Sequence, residues 1–265
     1  MLTKAVIRPP APNFFEGLTT AGQGAPDYEP ALKQHGLYCA ALERCGLKLM
    51  RLNADPNYPD STFVEDTAVL VPLAEKKTQT RTQLVMTRPG APSRRGEVES
   101  VRSTLVELAS SSYEIESPGT LDGGDVCEAA MHFFIGISER TNEAGAQQLA
   151  ELLARHSYTS KFIDIRNSGA LLHLKSGLAY LGDNRLVVTG ALADRADFHR
   201  YDLVRVNLDE EYAANCVRVN EQVLVAAGYP KFENRLRELG YQTIALEMSE
   251  FQKMDGGLSC LSLRF

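Results

Sequence analysis

One order of predicted elements recurs four times along this chain: strand, strand, helix, strand. In the first copy, strand-like runs at 67–73 and 84–87 are followed by a helical pattern at 93–109 and a strand-like run at 113–116. The later copies cover residues 126–165, 174–206 and 216–246. They include strand-like runs at 126–129, 132–137 and 174–181 and a short helical pattern at 192–199. A period of about 45 residues is typical of repeat architectures, in which each unit buries its apolar face against its neighbours.

The two ends of the chain together supply a fifth copy. Residues 258–263 and 5–7 have the pattern of its paired strands, 28–45 of its helix and 47–52 of its last strand. A closed ring of such units removes exposed sheet edges and places the helices outside and the strand ends around a central cavity. We therefore predict an α/β fold built as a five-unit ring, with residues 1–265 as a single domain.

Charge and composition argue against several classes of protein. The chain has 28 basic and 34 acidic residues and no basic block, which disfavours nucleic-acid binding. No apolar run approaches the roughly 20 residues that cross a bilayer, and the N-terminal apolar stretch is too short for a signal peptide. We expect a cytoplasmic protein without a membrane or nucleic-acid partner. The sequence allows a homodimer but does not determine the oligomeric state.

Residues able to do chemistry gather where the predicted units begin. Cys260 follows the glycine pair 256–257, at a predicted junction between a turn and a strand. Acidic residues open the first unit at 60–66 and the second at 121–126, and His173 opens the third. Each acidic cluster taken alone is typical of solvated surface. The ring, however, brings these starts together around Cys260.

A cysteine, a histidine and a carboxylate from separate units can form a nucleophile, a proton carrier and its orienting acid. We assign these roles to Cys260, His173 and Asp122. The other four histidines are predicted within helices, near helix ends or at a turn: His35, His132, His156 and His199. A metal site of Cys, His and Asp stays formally open, but no close ligand spacing supports it, and the five scattered cysteines lack the paired spacing of structural zinc.

The surplus of carboxylates predicts a planar cationic ligand. A guanidinium offers a fixed fork of donors, which pairs of carboxylates from Asp60, Glu65 and Asp66 could match. If the ligand also bears a carboxylate, arginines should hold that end. The candidates follow strands of the first two units: Arg88, Arg94, Arg95 and Arg140. For Arg88 and Arg95, a helix-terminal or surface position is an equally good interpretation.

Residues 12–26 fit none of the units. This segment is rich in glycine and small residues and carries three large apolar side chains. A loop of this length in a compact domain is usually functional or disordered. We predict a mobile lid over the opening of the ring, with Leu18 as its contact to the ligand, and keep a merely flexible connection as the alternative.

Several long motifs resemble the dimethylarginine dimethylaminohydrolase family of the pentein, or amidinotransferase-like, superfamily. The resemblance covers essentially the whole chain and is carried by residues 60–66, 87–95, 121–125, 140–142, 172–175, 214–216 and 255–260. It implies a five-bladed αβ propeller. It also implies Cys260 as nucleophile, His173 as general acid and base, and Asp122 as the acid that orients it, although some family members have Glu at this last position.

The resemblance further implies a substrate and its contacts. Asp60, Glu65 and Asp66 would bind the guanidinium, Arg94 and Arg140 the α-carboxylate, and Leu18 would close over the ligand. The implied activity is hydrolysis of asymmetric dimethylarginine and monomethylarginine to citrulline and dimethylamine or methylamine, through a covalent cysteine thiouronium, without an organic cofactor or metal. An arginine deiminase, an amidinotransferase or a non-catalytic binding ring would share the fold, but the longer helical insertions expected of the larger enzymes are missing from this sequence.

Overall fold

The computed structural model describes residues 1–73, 81–169 and 171–265, and its strands form five separate sheets of three strands each. The predicted ring of five αβ units, the five-bladed propeller, is confirmed. None of the helices in the described parts of the chain is long and apolar enough to cross a membrane.

The elements follow the predicted order closely. The N-terminal part of the terminal blade consists of β1 (Lys4–Ile7), α1 (Tyr28–Arg44) and β2 (Lys48–Arg51). The next two blades consist of β3 (Ala68–Leu73), β4 (Arg81–Met86), α2 (Glu97–Val106) and β5 (Ser111–Glu114), and of β6 (Val126–Ala129), β7 (His132–Ile137), α3 (Glu143–Arg155) and β8 (Thr159–Asp164).

The remaining elements complete the ring. They are β9 (Leu178–Tyr180), β10 (Arg185–Val188), α4 (Gly190–Ala193), β11 (Asp202–Arg205), β12 (Val217–Val219), β13 (Gln222–Ala226), α5 (Pro230–Glu238), β14 (Gln242–Leu246), α6 (Ser249–Gln252) and β15 (Leu263–Arg264).

Every sheet has the same connectivity. The middle strand pairs antiparallel with the first strand and parallel with the third, as β7 does with β6 and β8. A parallel pair needs a crossover, which the helix of the unit supplies on the outside of the ring. In the terminal blade, β15 pairs antiparallel with β1, with Ala5 opposite Arg264 and Val6 opposite Leu263. The two ends of the chain therefore close the ring as predicted.

Apolar side chains pack between neighbouring blades. Helix α3 illustrates the pattern, because its buried residues Leu149, Leu152 and Leu153 share one apolar cluster with Val69 and Val85 of the preceding blade. Its first turn is capped by Asn142, whose side-chain oxygen accepts the Gly145 N–H at 2.8 Å. The cores between blades leave the starts of the units free to face the centre of the ring.

The structure corrects the predicted elements mainly at these unit starts. Residues 258–263 were expected to be a strand, but Ser259–Leu261 form a short 3₁₀ turn and the strand begins at Leu263. In the third unit, Leu174–Ser176 likewise form a 3₁₀ turn before the strand, and the helix expected at 192–199 is two short helical turns. Apolar spacing alone does not distinguish such turns from strand ends.

The glycine pair before Cys260 serves close packing rather than an unusual backbone conformation. A side chain at Gly256 would place its Cβ 2.3 Å from the Phe63 ring, and one at Gly257 would lie 2.5 Å from Cγ of Asn215. Both contacts are shorter than real Cβ atoms make. The absence of side chains at Gly256 and Gly257 thus allows the Cys260 turn to approach the centre of the ring.

Candidate active site

A cleft at one end of the ring brings together most of the predicted site residues. Its wall contains Leu18, Asp60, Phe63, Asp66, Arg94, Arg140, Leu172, His173, Met254, Asp255, Gly256 and Cys260. These residues come from the starts of different blades and from the N-terminal loop. Three-residue 3₁₀ turns at those starts carry the chain inward, so side chains from distant parts of the sequence meet at the same level.

Cys260 lies in the turn Ser259–Leu261 with its side chain half-buried. Its Sγ accepts the Gly257 N–H at 3.4 Å. Burial and the nearby carboxylates of Glu65 and Asp66 raise the pKa of the thiol to about 12, against smaller lowering effects of the Gly257 N–H and Lys175. In the unliganded protein, the thiol is therefore protonated at neutral pH.

His173 is held by the carboxylate predicted for it. Its Nε2 lies 3.0 Å from Oδ2 of Asp122 and 4.0 Å from Oδ1 of Asp66. Burial lowers the pKa of His173, but the carboxylates of Asp66, Asp122 and Asp125 outweigh it and raise the pKa to about 9. The free protein thus carries an imidazolium beside a neutral thiol. Among the described residues, no hydrogen bond engages the other ring nitrogen, Nδ1.

Asp122 reaches His173 although its side chain is shorter than glutamate. It is fully buried, and its second oxygen, Oδ1, accepts the Gly90 N–H at 2.9 Å. Its own N–H donates to Oγ1 of Thr141 at 3.0 Å. Close packing of Gly124 contributes, since a Cβ there would lie 2.8 Å from the His173 ring. The turn that follows Asp122 therefore packs directly against the histidine.

Asp66 is a buried carboxylate of the cleft that is paired with an arginine. Its Oδ2 accepts from Nη1 of Arg94 at 2.6 Å, and its Oδ1 accepts the Gly124 N–H at 2.8 Å. Burial raises its pKa, but His173 and Arg94 overcome this effect and lower the pKa to about 2. Asp60 also lines the cleft and has a raised pKa, chiefly because it is buried.

Glu65 does not join these two carboxylates in the cleft. Its side chain points into a second cavity behind Cys260, where it accepts from Oγ of Ser259 at 2.7 Å and pairs with Lys175 at 2.7 Å and with Arg264 at 3.3 Å. Successive side chains of a 3₁₀ turn point about 120° apart, so Glu65 and Asp66 face different cavities. Glu65 therefore does not line the cleft together with Asp60 and Asp66, and its part in binding the guanidinium stays a prediction.

The four candidate arginines separate into two pairs. Arg94 and Arg140 line the cleft, and the positive charge of both lowers the pKa of Asp60. Arg88 instead donates to the carbonyl of Gly119, and Arg95 donates to the carbonyl of Pro89, so neither is part of the cleft wall. These contacts favour a structural role for Arg88 and Arg95 over a role in ligand binding.

Arg94 has a buried partner that the sequence analysis missed. Glu97 accepts from Nε of Arg94 at 3.0 Å and from Nη2 at 2.8 Å. Burial raises the pKa of Glu97 to about 7, against the lowering effect of Arg94. The spacing of three residues was the available signal, but at the start of an amphipathic helix such a pair is usually a solvated one.

The N-terminal loop lies against the cleft. Phe14 is buried and contacts Phe63 and Phe251, with ring centroids 5.8 Å and 5.5 Å away. Leu18 donates its N–H to Asp60 at 3.0 Å and is 43% exposed. The side chain of Asp255 accepts N–H and O–H groups from Thr20. The loop is thus attached at several points, and its opening as a lid stays a prediction.

His173 and two carboxylates lie close enough together to be considered as metal ligands. Within the described part of the chain, potential ligand atoms of Asp66, Asp122 and His173 lie within 4.8 Å of one another. Asp66 is already neutralised by the guanidinium of Arg94, however, and Cys260 is not part of the group. These contacts are those of an ion-paired acid–base cluster.

The fold and the cleft define a protein of the pentein, or amidinotransferase-like, superfamily. A family model described as arginine deiminase matches residues 102–211. Over 266 residues, the chain is 40% identical to N(G),N(G)-dimethylarginine dimethylaminohydrolase of Pseudomonas aeruginosa, covering 100% of both chains. It is 34% identical to the enzyme of that name from Streptomyces coelicolor, covering 98% of this chain and 96% of the relative.

A solved structure agrees with these relatives. The Pseudomonas aeruginosa enzyme, as a cysteine-to-serine mutant complexed with citrulline, superposes with a TM-score of 0.92 at 39% identity and 100% coverage of both chains. The chain belongs to the dimethylarginine dimethylaminohydrolase family.

Proposed function

We propose that this protein hydrolyses asymmetric dimethylarginine and monomethylarginine to citrulline and dimethylamine or methylamine, with Cys260 as nucleophile. The observation that carries the proposal is the convergence of Cys260, the His173–Asp122 pair and the ionised Asp66 on one cleft. The relatives named above carry the hydrolysis of dimethylarginine in their names, and their full-length similarity supports the same chemistry here.

The substrate itself would activate the thiol. Burial and the carboxylates of Glu65 and Asp66 raise the pKa of Cys260, and the positive charge of a bound guanidinium would lower it. At an effective dielectric constant of about 20, opposite charges about 4 Å apart attract by about 4 kcal/mol, equivalent to about three pKa units. A shift of that size brings the pKa of the thiol down to the range of the pKa of His173. Because His173 already carries a proton, the thiol gives its own proton to solvent, and it does so only when substrate is bound.

The first half-reaction then balances as follows. The Cys260 thiolate attacks the central guanidinium carbon and forms a C–S bond. The bond from that carbon to the methylated nitrogen breaks, and the His173 imidazolium gives its proton to the departing amine. A cationic S-alkylthiouronium remains on Cys260. Asp66, fixed by Arg94 and Gly124, faces the positive charge throughout.

Water completes the second half-reaction. The amine leaves His173 neutral, with Asp122 still accepting from its Nε2 proton. Neutral His173 removes a proton from a water molecule, whose oxygen attacks the thiouronium carbon. The C–S bond breaks, citrulline is released and Cys260 leaves as a thiolate, which takes up the remaining proton of the attacking water. No organic cofactor or metal takes part in these steps.

The other end of the substrate meets the arginines of the cleft. Arg140 is half-buried, and its side chain has no hydrogen bond or ion pair with the residues that the structure describes, whereas Arg94 already gives three of its nitrogens to Asp66 and Glu97. We therefore assign the main carboxylate contact to Arg140 and a second, weaker one to Arg94. Leu18, attached to Asp60, would pack over the bound ligand.

The test is the balance of products from purified protein. Incubation with asymmetric dimethylarginine should release citrulline and dimethylamine in equal amounts. The match to the arginine deiminase model makes arginine hydrolysis the second candidate, for which citrulline and ammonia would form from arginine instead. A protein that binds these compounds without forming citrulline would be a binding ring and would refute both.

A further inference from the structure

Asp125 is a fully buried carboxylate that the proposed mechanism does not use. It ends the 3₁₀ turn Gly123–Asp125, two blades around the ring from the blade that carries Cys260. Its Oδ1 accepts the Leu174 N–H at 2.9 Å, and its Oδ2 accepts from Oγ of Ser138 at 2.7 Å. A buried carboxylate is costly unless its oxygens are satisfied, so these contacts hold both segments to Asp125.

The first contact fixes the histidine. Leu174 directly follows His173, and the bond from its N–H to Asp125 joins the start of the third blade to the second. The Nε2 of His173 can then meet Asp122 at 3.0 Å. Asp122 and Asp125 belong to the same turn. This short segment therefore holds His173 in two ways, through the backbone of the next residue and through the imidazole ring.

The second contact fixes the turn that carries Arg140. Ser138 gives its hydroxyl proton to Asp125, which leaves its Oγ lone pairs to accept the N–H of Arg140 at 3.0 Å and of Thr141 at 3.1 Å. Oγ1 of Thr141 in turn accepts the N–H of Asp122. The conformation of this turn thus depends on the acceptor at Asp125.

The space around Asp125 matches a carboxylate of this size. A Cβ at Gly136 would lie 2.7 Å from Oδ1 of Asp125 and 3.0 Å from Cβ of Leu174. Glycine in the middle of β7 weakens a strand and is expected where another group must approach closely. The missing side chain of Gly136 leaves the room that Asp125 occupies.

We propose that Asp125 is a positioning residue that couples the proton carrier His173 to the turn of Arg140, so that both ends of the substrate are held in register by one buried carboxylate. Only the kinetic consequence of this role depends on the proposed function. Its charge has a second effect, because Asp125 faces His173 together with Asp66 and Asp122. Opposing charges come from Arg94 and Arg140, and Cys260 lies in the same cleft.

The experiment compares Asp125→Asn with Ser138→Ala. The asparagine keeps the shape but loses the charge and one of the two acceptors, whereas the alanine removes only the contact to the Arg140 turn. For Asp125→Asn we expect the pKa of His173, measured by NMR with labelled histidine in the free protein, to fall by about one unit. We also expect kcat/KM for asymmetric dimethylarginine to fall about ten-fold to a hundred-fold.

Ser138→Ala should behave differently. Its KM should rise several-fold, while kcat and the pKa of His173 should fall less than in Asp125→Asn, because the charge of Asp125 and its bond from Leu174 are retained. An unchanged pKa and unchanged kinetics in Asp125→Asn would overturn the proposal, as would a Ser138→Ala protein that matches the wild type in KM. If Asp125→Asn does not fold, the KM of Ser138→Ala alone decides.

The two proposals fail in distinguishable ways. A wild-type protein that forms no citrulline refutes the proposed function but leaves the NMR titration of the free protein valid. If the wild-type protein turns over dimethylarginine, and Asp125→Asn changes neither the pKa of His173 nor the kinetics, only the positioning role is refuted.

Discussion

Nε2 of His173 lies 3.0 Å from Oδ2 of Asp122, and this carboxylate is itself fixed by the Gly90 N–H at 2.9 Å. The ring is thereby held in one orientation by an acid that has no access to solvent. One nitrogen of the imidazole is assigned to the carboxylate, which makes the other available for proton transfer. The first prediction tests this arrangement.

Asp122→Asn should lower kcat by at least about a hundred-fold, because an amide no longer stabilises the imidazolium or selects its tautomer. KM should change little, since Asp122 touches His173 rather than substrate. Asp122→Glu is the matched variant that restores the charge with a longer side chain, and we expect it to retain more activity than Asp122→Asn. Equal kcat in the asparagine variant and the wild type would show that Asp122 does not orient His173.

Cys260→Ser should abolish turnover and keep the fold. The two side chains are nearly isosteric, but a hydroxyl is far less ionised than a thiol, even one whose pKa is raised to about 12. Cys45→Ser, at the end of α1 and outside the cleft wall, is the control and should remain active. Steady-state citrulline formation measures turnover, and circular dichroism measures the fold. Retained activity in Cys260→Ser would show that Cys260 is not the nucleophile.

His173→Ala should block both half-reactions, since the same imidazole protonates the leaving amine and later activates water. His156→Ala is the control, because that histidine ends α3 on the outside of the ring. Single-turnover mixing followed by mass spectrometry should show neither the thiouronium on Cys260 nor citrulline in His173→Ala. Similar loss in the two variants would mean that the wrong histidine was chosen.

The stability of the protein should decrease in alkali through His173. The pKa of this group is raised from 6.5 to about 9 in the folded protein, so its stabilising contribution is complete below about pH 6.5 and is lost as pH rises through about 9. His173→Gln lacks the titrating group. Urea unfolding between pH 6 and 10 should therefore give a steeper loss of unfolding free energy for the wild type, and parallel curves for the two proteins would contradict the raised pKa.

Much of the fold could be predicted because it repeats. The strands Val126–Ala129 and His132–Ile137 were predicted with the bounds observed, and closure of the ring followed from the leftover terminal pieces. A unit that cannot cover its apolar face alone leaves few arrangements open. The turns at Cys260 and Leu174 were predicted as strand because three residues are too few to show a period.

The site was predictable in its residue types but not in the direction of each side chain. Glu65 and Asp66 are neighbours in the sequence, yet a 3₁₀ turn sends them into different cavities. The contacts that fix Arg94 and His173 come from Glu97 and Asp125, whose burial depends on how the blades pack. Tertiary structure decides such contacts, and no local pattern in the sequence reports them.

Substrate selectivity follows from where acceptors are present. Asp66 would engage unmethylated nitrogens of the guanidinium, and the methylated nitrogen would lie near His173 without an acceptor. Arginine would bring unpaired N–H donors there, at a cost of about 1–3 kcal/mol each, enough to lower its rate about ten-fold or more. Symmetric dimethylarginine would place a methyl group against a carboxylate and lose a charge-assisted bond.

The most direct test of the account is therefore kcat/KM for asymmetric dimethylarginine, monomethylarginine, symmetric dimethylarginine and arginine, measured at one pH by citrulline formation. The account predicts turnover of the first two and rates lower by about ten-fold or more for the last two. A preference for arginine would contradict it and identify the protein as a deiminase.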